Sequence, residues 1–277
     1  MSTITPTAPA PLQFTHKIEI DLEPQAAWKL IHDYGRVQDW HPGVANTEII
    51  SGINNQPGAV RRLTFLDGKT IETELISHEP QHLRLSYTIT VSNQLPVSNY
   101  RATLSVLPSS DDKKSWVSWQ SHFSRADPSA EPAAGQDDRA AIDAVTGIYT
   151  SGLDSLVKIA ADQVAIRKII AFYAEGGTRG DVETVARAFH PSATLKFVQD
   201  TRLVDEPIER YYKNYIKAGV LQQRTVVIDY INIKGTAAAT RLTIDYSTHQ
   251  FTDYFNLLKI DGAWQVVGKI ATRLEKP

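Results

Sequence analysis

Cysteine is missing from all 277 residues, and methionine occurs once. The first absence removes thiolate nucleophiles, Cys-ligated zinc, iron–sulfur clusters and disulfide scaffolds together. Net charge is also thin: 29 Lys and Arg face 31 Asp and Glu, a formal −2 with a pI near 6.4. The basic field that nucleic-acid binding needs is therefore lacking, and no nucleic-acid partner is expected. No stretch approaches the ~20 apolar residues that span a bilayer, and the opening MSTITPTAPAPLQF has neither the charged nor the apolar region of a secretion signal. A cytoplasmic protein without a membrane partner is the expectation. A Gly-rich phosphate loop and a Gly-x-Ser-x-Gly elbow are both absent, and the eight histidines are scattered without an i, i+4 pair on an expected helix or a His-x-His on an expected strand. No nucleotide cofactor, serine triad or metal site is expected. What remains is 42% hydrophobic, 22% charged and 9% aromatic, ordinary for a globular chain long enough for one large domain or two small ones.

The hydrophobic pattern favours two. Residues 14–123 alternate in six segments that read as strands: Phe14–Leu22, Val60–Leu66, Thr70–Ser77, Leu83–Val91, Asn99–Leu107 and Trp116–Phe123. A helix is expected over Pro24–Tyr34, stopped by Gly35. After a Pro/Ala/Asp-rich loop, Ala126–Asp138, apolar residues at Ile142, Val145, Tyr149, Leu153, Leu156, Val157 and Ala160 follow the helical period. From about Asp162 the order reverses. Helices over Val164–Glu175 and Val182–Phe189 precede a short strand Ala193–Val198, a helix Pro207–Ala218, and four strands over Arg224–Lys234, Ala237–Gln250, Phe251–Ile260 and Trp264–Arg273. Gly235-Thr236 and Asp261-Gly262 suit two-residue hairpin turns. Residues 1–160 carry 13 Lys/Arg against 18 Asp/Glu, while the remainder carries 16 against 13. Between Gly152 and Gly176 there is neither Gly nor Pro, so the junction is predicted to be continuous or nearly continuous helix. Both halves are α+β, without the strand–helix alternation of a doubly wound sheet.

Trp40-His41-Pro42, the run Pro57 to Leu63, Gly68 to Leu75, Leu95 to Tyr100 and the closing long helix resemble the START-like polyketide cyclase (SRPBCC) superfamily over residues 14–160. The resemblance implies a helix-grip fold, a curved antiparallel sheet around the long helix, enclosing a cavity for a hydrophobic molecule. Alternation independently puts Leu83, Leu85, Tyr87 and Ile89, then Tyr100, Ala102, Leu104 and Val106, then Val117, Trp119, Ser121 and Phe123 on inward faces, and sends His122 outward. Positions that line the pocket in the receptor branch of the superfamily match Glu74, His41 and Tyr100, with Arg62 a counter-ion for Glu74. Against this, Glu72 and Glu74 can form a solvent-facing stripe, His41 can be a turn histidine, and Asn99 can serve local backbone. Trp40, Tyr87, Trp119 and Tyr149 are ligand-stacking candidates or simply core, as is Trp28.

Tyr173, Gly180-Asp181, Phe189 to Ala193 and the closing run Asp253 to Lys269 resemble the nuclear-transport-factor-like cone fold, nearest its SnoaL-like and lumazine-binding branch, over residues 163–275. That fold again encloses a cavity. Tyr173 lies eight residues before Asp181, the spacing of the oxyanion-donating tyrosine of ketosteroid isomerase. The position of the isomerase's general base is Phe197 here, so the same route is not available. His190 is either a pocket residue or a cap in its Phe-His-Pro turn. Asp253 shares a strand face with Phe255 and Leu257 and points either into the cavity as an acid–base candidate or across the sheet to Arg241 or Lys269, with His249 a second candidate partner.

Two readings follow. One is cofactor-independent cyclase-like or dehydratase-like acid–base catalysis on a small hydrophobic, oxygenated molecule, with Glu74 and His41, or Asp253 and Tyr173, handling protons. The other is a non-catalytic carrier or sensor of such a ligand, in which the same residues only fix its orientation. The cone domain can also serve as a homodimer interface.

Overall fold

The computed structural model describes residues 11–92 and 95–276. The chain divides into two compact units, the first ending at Ala161 and the second starting at Asp162.

Seven strands form the sheet of the first unit: β1 (Leu12–Ile20), β2 (Val44–Ser51), β3 (Val60–Phe65), β4 (Thr70–Glu79), β5 (Arg84–Ser92), β6 (Val97–Pro108) and β7 (Ser115–Arg125). Their order is β1-β7-β6-β5-β4-β3-β2, antiparallel throughout. One strand more is present than the alternation indicates. β2 lies at the sheet edge and buries only Val44 fully, so period-2 patterning has little to record in it. Helix α1 (Pro24–Ile31) starts at a proline suited to the first turn. It stops short of Tyr34, whose N–H is taken by Asn55 Oδ1 at 2.8 Å.

One helix, α2 (Asp138–Arg179), runs 42 residues without interruption. Ala141, Val145, Tyr149, Leu153, Leu156 and Ala160 recur every three or four residues and belong to the first core. Ile166, Ile170 and Tyr173 belong to the second. The helix ends at Gly180, in the left-handed region at φ +66°, where a Cβ would lie 2.3 Å from the Lys217 carbonyl oxygen.

The second unit adds α3 (Val182–Ala186), β8 (Phe189–Gln199), β9 (Arg202–Pro207), α4 (Ile208–Tyr215), β10 (Arg224–Lys234), β11 (Ala237–Tyr246), β12 (His249–Ile260) and β13 (Ala263–Glu275). The sheet order is β10-β11-β12-β13-β8-β9. It is mixed, not purely antiparallel, because β8 runs parallel to β13. β9 is another edge strand missed by the alternation, since none of its residues is fully buried. The Asp261-Gly262 turn has φ of +48° and +81°, as a two-residue hairpin of this type requires. Among the described residues, no helix is long and apolar enough to cross a membrane.

Candidate functional site

The first unit closes its own interior. Trp119 stacks on Tyr149 at 4.1 Å between ring centres, Trp40 meets Trp119 edge-on at 5.5 Å, and Tyr100 packs between Tyr87 and Phe123. The void left between these rings is about 40 Å³, room for a water or two. Trp40, His41, Tyr87, Tyr100, Trp119 and Tyr149 all line it. Their polar atoms are largely consumed by one another: Tyr100 and Tyr149 share a hydroxyl hydrogen bond of 2.5 Å, and Trp119 Nε1 donates to Tyr87 Oη at 3.1 Å. His41 is 3% exposed. Its Nε2–H donates to the Ile148 carbonyl at 3.0 Å, and its Nδ1 accepts from the Gly43 N–H at 3.1 Å. Both ring nitrogens are thus committed in the neutral form, and burial lowers the imidazole pKa.

Glu74, Arg62 and Asn99 do not reach this interior. The buried residues of β4 are Ile71, Thr73 and Leu75, which turns Glu72 and Glu74 to the opposite face. Arg62 is on that outer face too, paired with Glu72 at 2.8 Å and not with Glu74. The register that pairs Arg61 with Thr73 and Arg62 with Glu72 makes Arg61 the inward arginine. Its Nη1 donates to the Tyr34 carbonyl at 2.7 Å, and its guanidinium lies 3.8 Å from the Tyr34 ring centre. Asn99 is exposed, at φ +52° where the β6–β7 register shifts. His41 and Glu74, whose convergence the sequence leaves open, therefore do not meet.

The second unit is open. A cavity of about 490 Å³ is walled by Phe197, Tyr211, Tyr215, Tyr246 and Phe251, within the usual size range for small-ligand sites. Asp253, Lys269 and Tyr173 meet at its wall. β12 and β13 pair Asp253 with Ala271 and Phe255 with Lys269, so Asp253 and Lys269 are diagonal neighbours on one sheet face. Tyr173 comes from α2 and donates to Asp253 Oδ2 at 2.6 Å. Lys269 Nζ forms an ion pair with the same oxygen and donates to Tyr173 Oη at 3.3 Å. All three side chains are at least 96% buried. Asp253 Oδ1 is buried without a hydrogen-bond partner among the described residues. Burial lowers the Lys269 pKa against the opposing pull of Asp253, and burial followed by the Asp253 charge raises that of Tyr173.

Of the three partners foreseen for Asp253, Lys269 is the one present. Arg241 instead pairs with Asp229 at 3.0 Å, and His249 stacks on Tyr246 at 4.5 Å. Phe255 stands behind the cluster, 5.0 Å from the Tyr173 ring, and is not a lining residue. His190 is held in its own turn, its Nδ1 accepting from the Ser192 N–H at 3.1 Å, away from the cavity. Two site residues escaped the sequence reading. Lys269 was visible only as a structural partner of Asp253, because counting back from the Asp261-Gly262 turn sets Phe255 opposite Gly268, and the register shift between Asn256 and Leu257 is what brings Lys269 there. Arg224, which lines the cavity at the start of β10, carries no local signal.

Residues 11–161 match the family model described as "Polyketide cyclase / dehydrase and lipid transport", and residues 161–270 match that described as "Putative lumazine-binding". No match was found among curated proteins. Among solved structures, the protein XoxI from Bacillus cereus is 28% identical, covering 55% of this chain and 96% of its own, with a TM-score of 0.48. An NTF2-like protein of unknown function from Shewanella baltica is 34% identical, covering 42% and 95%, with a TM-score of 0.38. Another of the same description, from Methylobacillus flagellatus, is 28% identical over 42% and 94%, with a TM-score of 0.38. The chain belongs to the polyketide cyclase / dehydrase and lipid transport family, and the residues that follow that domain match the lumazine-binding family model.

Proposed function

We propose that the second domain is the working half, and that it performs cofactor-independent acid–base chemistry, cyclase-like or dehydratase-like, on a small oxygenated molecule held in its cavity. The observation that carries this is the buried Tyr173–Asp253–Lys269 cluster at the wall of an open cavity. Lys269 has three N–H donors, of which Asp253 and Tyr173 take two. The third is available to a substrate carbonyl, where it would stabilise the negative charge that develops on oxygen. Asp253 Oδ1 has no hydrogen-bond partner of its own among the described residues and is the candidate acceptor for a proton leaving the carbon beside that carbonyl. Tyr173 donates to Asp253, so its role is to position the carboxylate. This differs from the direct oxyanion donor suggested by its spacing.

The same donation supports a binding-only role for the cavity, because it leaves the tyrosine nothing to offer a ligand. Native mass spectrometry of the protein purified from its host, followed by identification of any released molecule, separates the two. Lumazine, the flat heterocycle named in the second family's description, is the first compound to titrate. A captured or added compound that is converted, with turnover falling at least about 100-fold in Asp253→Asn and Lys269→Met, supports catalysis. A ligand returned unchanged by the wild-type protein supports the carrier role. Conversion that both variants perform at the wild-type rate overturns the assignment of the cluster.

A further inference from the structure

Arg224 is a cation without an anion. Its Nε donates to Thr178 Oγ1 at 3.2 Å, Nη1 to Tyr246 Oη at 3.2 Å, and Nη2 to the carbonyl oxygens of Ala174 at 3.1 Å and Tyr173 at 3.4 Å. Every acceptor is neutral, and among the described residues no carboxylate lies within ion-pair distance of the guanidinium. The seat is nevertheless built for it. Gly177, inside α2, is where the arginine lies against the helix, and a Cβ there would sit 2.1 Å from Nη2. Glycine is a poor residue for a helix interior, and here its lack of a side chain is what admits the guanidinium.

The charges around the cavity do not balance. Lys217, Arg224, Lys269 and Arg273 line it against a single lining carboxylate, Asp253. Lys269 takes Asp253 and Arg273 takes Glu275. Arg224 and Lys217 are left without a carboxylate among the described residues. Arg224 Cζ lies 5.7 Å and Lys269 Nζ 5.2 Å from the centre of the Tyr173 ring, so a ligand packed on that ring is within reach of both cations.

Resting on the reading of this cavity as the ligand site, we propose that its ligand is a flat aromatic acid whose carboxylate is bound by Arg224. Aromatic walls select the flat body, and the guanidinium charge, with one Nη1 N–H left over from its four bonds, selects an acid over a neutral carbonyl compound. A competing role for Arg224 is to neutralise the carbonyl end of α2, as cations near helix C-termini do. That role affects stability without making ligand binding depend on ligand charge.

The test uses the full chain and a matched pair of probes, 2-naphthoic acid and 2-naphthamide, titrated by calorimetry. The wild-type protein is expected to bind the acid at least about tenfold more tightly than the amide, the low end for a hydrogen bond to a charged group. Arg224→Met is expected to bring the two affinities within about threefold, while Arg224→Lys, which keeps the charge but not the bonds that seat it, retains part of the preference. Should Arg224→Met fail to fold, the wild-type ratio and the Arg224→Lys value decide. Equal binding of acid and amide by the wild-type protein overturns the inference and leaves the proposed function standing. Binding of neither probe at millimolar concentration overturns both.

Discussion

The two interiors begin from similar material and end differently. Each is enclosed by a sheet and by part of α2, and each contains an arginine that faces tyrosine rings and has no carboxylate partner among the described residues. In the first, Trp40, Trp119, Tyr87, Tyr100 and Tyr149 point to the centre and leave about 40 Å³. In the second, the rings of Phe197, Tyr211, Tyr215, Tyr246 and Phe251 surround about 490 Å³. Side-chain volume at a few inward positions decides between a core and a site, and the fold does not. The polar groups follow the same division. In the first interior His41 is satisfied by backbone groups, the tyrosine hydroxyls and Trp119 by one another, and the neutral Trp40 Nε1 is unpartnered among the described residues, whereas in the second the unpartnered atom is a carboxylate oxygen, Asp253 Oδ1.

The most forceful way to break this contrast is to hollow the first domain. Tyr149→Ala removes a 1% exposed ring stacked on Trp119 and the hydroxyl partner of Tyr100. Chemical denaturation should show a loss of about 3–5 kcal/mol, and phenol should recover part of it by occupying the new space. A domain that loses stability but gains nothing from phenol would mean that the interior collapses when emptied. Lys269→Met should be next in size, about 3 kcal/mol or more, because it strands the Asp253 carboxylate in a buried site. Pairing it with Asp253→Leu should return most of that loss, and a double-mutant cycle measures how much.

Acidity sharpens the comparison from the other side. His41 has its pKa lowered by burial from an ordinary value of 6.5, so between the lowered value and 6.5 the unfolded chain binds more protons than the folded one. Stability must then rise with pH across that window and fall on acidification, by up to about 1.4 kcal/mol per pH unit. His32, also lowered mainly by burial, adds in the same direction. Denaturation midpoints at pH 5, 6 and 7 should show a smaller slope in His41→Gln than in the wild-type chain. The smallest effect on stability is expected from filling the open cavity: Ala271→Phe, at its wall beside Asp253, should change unfolding by under about 1 kcal/mol and abolish binding of 2-naphthoic acid.

Much of this was readable in advance, and the failures share causes. Alternation recovered β5, β6 and β7 with their inward residues because one face of each is packed in the core. It missed β2 and β9, edge strands with almost nothing buried. Among the site residues, Asp253 and Tyr173 were reached from strand phase and from spacing to Asp181. Glu74 was carried over from a family pattern, and Arg62 added as its counter-ion from the strand before, without fixing the phase of β3 and β4, and the observed register turns both away. Arg224 was invisible because what seats it, the Thr178 hydroxyl, the missing Cβ of Gly177 and the carbonyls of Tyr173 and Ala174, is 46 to 51 residues away in sequence. The emptiness of one interior and the fullness of the other could not be read from the sequence at all, since residue types record what fills a space and not how large the space is.

The continuous course of α2 bears on where this chain can be cut. The boundary between the two units falls between Ala161 and Asp162, well inside the helix. A break there would leave four carbonyls unpaired on one fragment and four amides on the other. It would also place Asp162, which receives Lys259 Nζ at 2.7 Å and Trp264 Nε1 at 2.8 Å, at a frayed terminus. Fragments meant to stand alone should each keep the whole helix, one running through Arg179 and the other starting at Asp138.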